Sequence, residues 1–162
     1  MDASAWSLVA GTIKNHLANF DPANRAYYEE RLAAYQVTLK ELHEYAQKSL
    51  ASIPKSQRVL VTAHDAFSYL GRAYHLEVRG IQGISTESEA GLQEINALVS
   101  YLVDNKIPAV FVESSVSDKS VKALIEGAAA LGHKVIIGGE LFSDAMGEAG
   151  SYEGTYLGMI DH

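Results

Sequence analysis

Val59-Leu60-Val61-Thr62-Ala63-His64-Asp65-Ala66-Phe67 is the stretch on which the fold turns. Three apolar residues running into small and polar ones read as a buried strand that ends in a turn. A strand of this kind in a parallel sheet delivers its next side chains to the carboxyl edge, outside which open α/β sheets bind ligands. His64 and Asp65 therefore arrive where function usually sits. A second strand-like run, Lys134-Val135-Ile136-Ile137, leads through Gly138-Gly139 into the polar cluster Glu140-Leu141-Phe142-Ser143-Asp144. If both runs are parallel strands, His64 and Asp144 share one edge although eighty residues separate them.

Between these two runs the pattern alternates. Residues 58–63 read as strand, 67–74 as a short helix and 76–81 as strand. Ser85-Thr86-Glu87-Ser88-Glu89 offers cap residues and first-turn carboxylates, which favour a helix start. Leu92, Ile95, Val99 and Leu102 supply the apolar stripe of that helix. Pro108-Ala109-Val110-Phe111-Val112 is a third strand ending at Glu113-Ser114-Ser115. Ser117-Asp118 opens a helix carrying Val121, Leu124, Ile125 and Ala128, stopped by Gly132. Four strands separated by helices predict an α/β fold: an open, parallel, four-stranded βαβ sheet flanked by helices. Glycine punctuates residues 138–158, and Tyr152, Tyr156 and Met159 are spaced like the start of a closing helix.

The first third of the chain reads differently. Trp6, Val9, Ile13, Leu17 and Phe20 recur every three or four residues, one face of a helix. Asp21-Pro22 then supplies a cap and a proline at a first helical position. Tyr28, Leu32, Tyr35, Leu39, Leu42 and Ala46 continue the stripe to about residue 50, before Pro54. This long helix precedes the sheet, and its ordinary reading is a scaffold helix packed along it. The expected division is a helical segment over 1–56 and an α/β unit over 57–162.

Composition narrows the function. The formal charge of the 162 residues is -7, and no basic patch is visible, so no nucleic-acid partner is expected. No apolar run reaches the roughly 18 residues of a membrane span. Cysteine is absent, which excludes thiolate metal sites and disulfides. The opening Met1-Asp2-Ala3-Ser4-Ala5-Trp6 has neither basic nor apolar signal-peptide regions. A dinucleotide fingerprint, a P-loop and a Gly-x-Ser-x-Gly elbow are all missing.

Each candidate site residue has an ordinary reading beside the functional one. His64 and Asp65 can cap the following helix, Asp65 as its N-cap. Alternatively the imidazole binds a metal and Asp65 orients the ring. Asp144 read alone is a turn residue; it gains interest from its place beside His64. Glu113, closing a strand on the same edge, accepts hydrogen bonds or supports a metal shell rather than ligating. Ser114-Ser115 could hold a nucleophile, with no base beside it but His64. His16, His43, His75, His133 and His162 lack partners at metal-ligand spacing.

Four blocks carry a resemblance: residues 59–67, Gly80-Ile81-Gln82-Gly83-Ile84-Ser85-Thr86-Glu87-Ser88-Glu89-Ala90, Val110-Phe111-Val112-Glu113-Ser114-Ser115, and Gly138-Gly139-Glu140-Leu141-Phe142-Ser143-Asp144-Ala145-Met146-Gly147. In order and spacing they resemble the manganese/zinc solute-binding proteins of bacterial ABC importers, a family of metal-binding lipoproteins. The resemblance implies two α/β lobes joined by one long helix, with a metal held between them by four side chains. Two ligands of the carboxyl-terminal lobe fall on His64 and Asp144. Asp65, Glu113 and Ser115 are near-site positions with supporting roles.

The same resemblance implies that the amino-terminal lobe, with its two histidines, lies upstream of the stretch matched by Asp2-Ala3-Ser4-Ala5-Trp6. The expectation is therefore a carboxyl-terminal lobe with its linker helix, truncated at its start and short of its last helix. It is a binding module without catalysis, taking Mn²⁺ or Zn²⁺ weakly through an incomplete site, and His64 in place of Glu leans towards Zn²⁺. The implied partners are an ABC permease, the missing lobe, and a second copy through dimerisation or helix exchange across apolar surface left uncovered. The implied location is periplasmic or extracytoplasmic, membrane-associated in the parent. A small metal-dependent hydrolase using His64 and Asp144, and a metal-free interaction domain, are the competing readings.

Overall fold

The structure is a computed structural model that describes residues 1–83 and 91–162. The chain opens with two helices packed on each other. Helix α1 spans Ala3–Phe20, started by Asp2, whose carboxylate accepts the backbone N–H of Ser4 and Ala5. Pro22–Asn24 form one 3₁₀ turn, and helix α2 follows over Arg25–Ala51. Its 27 residues make a rod of about 40 Å at about 1.5 Å per residue.

The stripe of α2 is buried only in its second half. Leu39, Leu42 and Ala46 are buried, whereas Tyr28, Leu32 and Tyr35 are half-buried. α2 packs on α1 and, further along, on the two short helices α3 (Ser68–Tyr74) and α6 (Tyr156–Asp161). It is thus a helix braced by other helices rather than one laid along the sheet. The expected apolar face of α1 exists but is largely uncovered. Val9, Ile13 and Leu17 are exposed, and Phe20 keeps 90% of its surface. Ala3 and Ala18 are the α1 residues that are buried.

From Val59 the α/β pattern takes over. Strands β1 (Val59–His64) and β2 (Glu77–Gln82) pair in parallel, joined by α3. Strands β3 (Ala109–Glu113) and β4 (Ile136–Leu141) pair in parallel, joined by α5 (Lys119–Ala130). Helix α4 (Leu92–Asp104) precedes β3 and packs on α5. The parallel α/β class matches expectation. In detail, the expected four-stranded sheet is realised as two two-stranded ladders, with β1 and β3 lying side by side at the seam.

Strand β4 begins two residues later than expected and runs through Gly138-Gly139 to Leu141, so Glu140 lies within the strand. The register against β3 slips between Val110 and Phe111. There the Phe111 ring lies over Gly138, where a Cβ would come within 2.9 Å of ring carbons. The glycine that reads as a strand end makes room for that ring. In the closing segment Tyr152 precedes the last helix, which Thr155 caps through the Gly158 N–H.

The core lies between the strands and α4 and α5. Val61, Ala63 and Ile81 meet Leu98, Val99, Leu102, Val110, Val121, Leu124 and Ala128. Each predicted stripe residue of α5 lands in or against this cluster, as do Ile95, Val99 and Leu102 of α4; Leu92 stays exposed. The expected cap cluster of α4 falls on residues 84–90, outside the described residues.

Candidate metal centre

His64 is the last residue of β1 and only 2% exposed at its side chain. Its position follows from the strand: Val61, Thr62 and Ala63 are all buried, so the next residue emerges at the carboxyl edge with protein around it. Every backbone group of His64 is engaged. Its N–H donates to Glu113 Oε1 at 2.8 Å. Its carbonyl accepts the Thr62 hydroxyl at 2.8 Å and the Ala66 N–H at 3.0 Å. Neighbouring β2 approaches so closely that a Cβ on Gly80 would come within 2.7 Å of the His64 carbonyl carbon and 2.6 Å of the Asp65 nitrogen.

The imidazole is gripped on both sides. Nδ1 lies 2.6 Å from Glu113 Oε2, whose side chain has no solvent exposure. The contact is short, yet neither atom has a conventional hydrogen-bond partner among the described residues. Nε2 lies 3.1 Å from Asp144 Oδ2. The Asp144 side chain is 70% exposed, so the ring faces a buried carboxylate on one side and a solvent-facing one on the other.

Asp144 sits in the loop after β4 with φ of 53°. That is the left-handed region, which Asp tolerates better than most residues. The preceding Ser143 is fully buried and shares a 2.7 Å hydrogen bond with Ser115, in the loop after β3. Two loops are thereby fastened beside the ring. A groove of about 580 Å³ opens from Asp144 along Ala66, Met146, Trp6, Tyr156 and Met159. Trp6 stacks on Tyr156 with ring centres 5.2 Å apart, and burial pushes the Tyr156 phenol well above its ordinary value.

The structure brings together His64, Asp144 and Glu113, and places Ser115 one hydrogen bond away through Ser143. Asp65 turns elsewhere: its carboxylate accepts the Ser68 hydroxyl at 2.6 Å. Of the two readings of Asp65, the N-cap one does not hold, since Phe67 occupies the N-cap of α3 without a side-chain cap bond. The sequence reading gave Ser143 no role, although its place beside Asp144 was the available signal. The other histidines are structural where a bond is seen. His43 meets Tyr74, His133 meets the Ile107 carbonyl, and His162 meets the Glu140 carbonyl.

His64 and Asp144 offer one nitrogen and one oxygen donor. Among the described residues no cluster of three or more metal-capable side chains forms. The comparison with known proteins bears directly on this pair. The profile of one protein family, "ZnuA: Zinc-uptake complex component A periplasmic", matches residues 1–162.

The chain belongs to the ZnuA family. Among its relatives is the zinc-binding protein TroA of Treponema pallidum (strain Nichols), 46% identical over 161 residues, which are 99% of this chain and 52% of TroA. The manganese-binding lipoprotein MntA of Bacillus subtilis (strain 168) is 46% identical over 97% of this chain and 51% of its own length. The metal ABC transporter substrate-binding lipoprotein SloC of Streptococcus mutans is 30% identical over 99% of this chain and 51% of its length. The solved structure of periplasmic TroA from Treponema pallidum superposes with a TM-score of 0.96, covering 99% of this chain and 58% of that one. The chain spans about half the length of the curated ZnuA-family relatives it matches. No helix among the described residues is long and apolar enough to cross a membrane.

Proposed function

We propose that this chain is the carboxyl-terminal lobe, with its linker helix, of a divalent-metal solute-binding protein that hands Zn²⁺ or Mn²⁺ to an ABC permease. One observation carries the reading: His64 Nε2 and Asp144 Oδ2 stand 3.1 Å apart. Two donors bound to one metal at about 2.1 Å are separated by about 3.0 Å at a right angle and about 3.4 Å at a tetrahedral angle. The observed gap lies between these, so the pair is spaced like two ligands of one shell. The relatives' names, zinc-binding for TroA and manganese-binding for MntA, support the same cargo.

Two donors do not fill the tetrahedral shell that zinc prefers. The remaining ligands come, on this reading, from an amino-terminal lobe that closes over the carboxyl edge. Residues 1–56 then form the helical segment that includes the inter-lobe linker, and 57–162 the metal-binding lobe. That the main cluster of buried apolar residues runs from Val61 to Val135 supports the boundary. Glu113 and Ser115 support the ligands, and Asp65 acts only through the turn it shares with Ser68.

The chain by itself binds metal weakly and selects Zn²⁺ over Mn²⁺ only modestly, imidazole suiting zinc and carboxylate suiting both. In the parent the lobe works outside the cytoplasm at a membrane surface, as the lipoprotein relatives suggest. The exposed stripe Val9, Ile13 and Leu17 beside Phe20 supports association of two copies of this chain when nothing else covers it; a monomer by light scattering at high concentration counts against that. The hydrolase reading is not favoured, because the family is one of metal-uptake components.

The test is a Zn²⁺ titration of the purified chain. Weak binding that disappears in both His64→Ala and Asp144→Ala is expected. Tight binding at one site, unchanged in both variants, overturns the assignment.

A further inference from the structure

We infer that two copies of this chain pair about a two-fold axis at Leu17, each laying its Phe20 and Asp21 over the groove between α1 and α2 of the other. The inference deepens the association of two copies stated above and is independent of the metal assignment.

A groove of about 390 Å³ runs between α1 and α2, walled by Trp6, Ile13, Leu17, Tyr28 and Tyr35. The charged side chains that line it are Lys14 and Arg31, and no carboxylate does. Among the described residues neither cation takes part in an ion pair. On a chain of net charge -7, this is a local excess of positive charge against an apolar wall. The occupant that fits is an apolar group with an anion attached.

The end of α1 carries such a group. Phe20 keeps 90% of its surface exposed, and Asp21 follows it. Hydrogen bonds from the Asn24 amide and the Tyr28 hydroxyl hold the Asp21 carboxyl below its ordinary value, so it is ionised at neutral pH. A small anion with an apolar tail would fill the groove but leave Phe20 in water. A second copy covers both.

A two-fold pairing needs one surface that is complementary to itself, and the spacing along α1 supplies it. Phe20 and Asp21 stand three and four residues after Leu17; Lys14 and Ile13 stand three and four before it. Ile13, Leu17 and Phe20 share one helical face. Laid antiparallel about Leu17, α1 of one copy sets Phe20 and Asp21 opposite Lys14 and Ile13 of the other. Each contact occurs twice, and Leu17, 42% exposed in the single chain, meets its own copy.

The test is sedimentation equilibrium of the metal-free chain over roughly 10–200 µM, where a small interface dissociates. The expected result is a monomer–dimer equilibrium that Phe20→Ala and Lys14→Glu each weaken about tenfold or more. Lys14→Arg keeps the charge and should leave it intact. Unchanged melts of the dilute variants exclude unfolding as the cause. Leu17→Cys, in a chain without cysteine, should oxidise to a linked dimer, since a disulfide needs Cα atoms within about 7 Å. Lys48→Cys, near the far end of α2, should not. Failure of Leu17→Cys to link overturns the axis. A dimer that survives both Phe20→Ala and Lys14→Glu overturns this pairing and leaves association standing. A natural chain that stays monomeric overturns both; decanoate binding to that monomer, lost in Lys14→Glu, would assign the groove to an amphipathic anion instead.

Discussion

Ser115 and Ser143 share a hydrogen bond of 2.7 Å that ties the loop after β3 to the loop carrying Asp144. The two partners are not equivalent, because Ser143 is fully buried and Ser115 is exposed. Removing the exposed hydroxyl therefore strands the buried one.

Ser115→Ala is expected to cost about 1–3 kcal/mol, the range for a buried polar group left unpaired. The double variant Ser115→Ala/Ser143→Ala should cost less than the two single changes added together, since no orphan remains. Urea unfolding of the four proteins checks this. On the proposed function, the single variant also weakens Zn²⁺ binding, because the Asp144 loop loses its fastening.

Gly80 and Gly138 should answer differently to the same substitution. A Cβ on Gly80 meets backbone atoms of His64, Asp65 and Gln82 at 2.6–2.7 Å, none of which can swing aside. A Cβ on Gly138 meets the Phe111 ring at 2.9 Å, and a ring can tilt. Gly80→Ala is expected to cost about 3 kcal/mol, the upper end of overpacking, and Gly138→Ala nearer 1 kcal/mol. Thermal melts that rank them the other way would reject the close approach of β2 to the site.

Asp2 gives a pH signature. Partial burial raises its carboxyl, but the hydrogen bonds from Ser4 and Ala5 and the charge of Arg72 outweigh that and hold it below the ordinary 3.8. A depressed folded value means that the added stability is present above about pH 3.8 and fades as pH falls through the lower folded value. Asp2→Ala should therefore cost about 1 kcal/mol at pH 7 and progressively less below pH 3.8. Denaturant midpoints at neutral and acid pH measure the difference, and a gap that widens with acid would contradict the sign.

Leu124 and Phe20 mark the two extremes of the apolar surface. Leu124 is fully buried in the core, so Leu124→Ala should cost about 2–5 kcal/mol. Phe20 is 90% exposed, and Phe20→Ala should leave the monomer's unfolding midpoint almost unchanged. Comparing the two by urea denaturation is sufficient.

Much of this was legible because parallel strands obey a simple rule. Apolar runs at 59–61 and 135–137 had to end on one edge, and so His64 and Asp144 meet although far apart in the chain. The helix stripes of α4 and α5 were readable for the same reason that they are buried. The rest depended on three-dimensional accidents. Periodicity showed that α1 has an apolar face but not that the face lies open. Asp65 stood next to His64 in sequence, yet the carboxylate beside Nδ1 comes from Glu113, whose reach was set by the placement of β3 beside β1. Gly138-Gly139 looked like a strand end until the ring of Phe111 explained it.

The seam between the two ladders has one last consequence. Among the described residues no backbone ladder joins β1 to β3; at their carboxyl ends the amide of His64 is met by a side-chain oxygen of Glu113 instead of a carbonyl. A single carboxylate is thus mortar between the strands and the wall behind the imidazole at once. A change at position 113 therefore reopens a joint in the masonry as well as altering what the ring rests against.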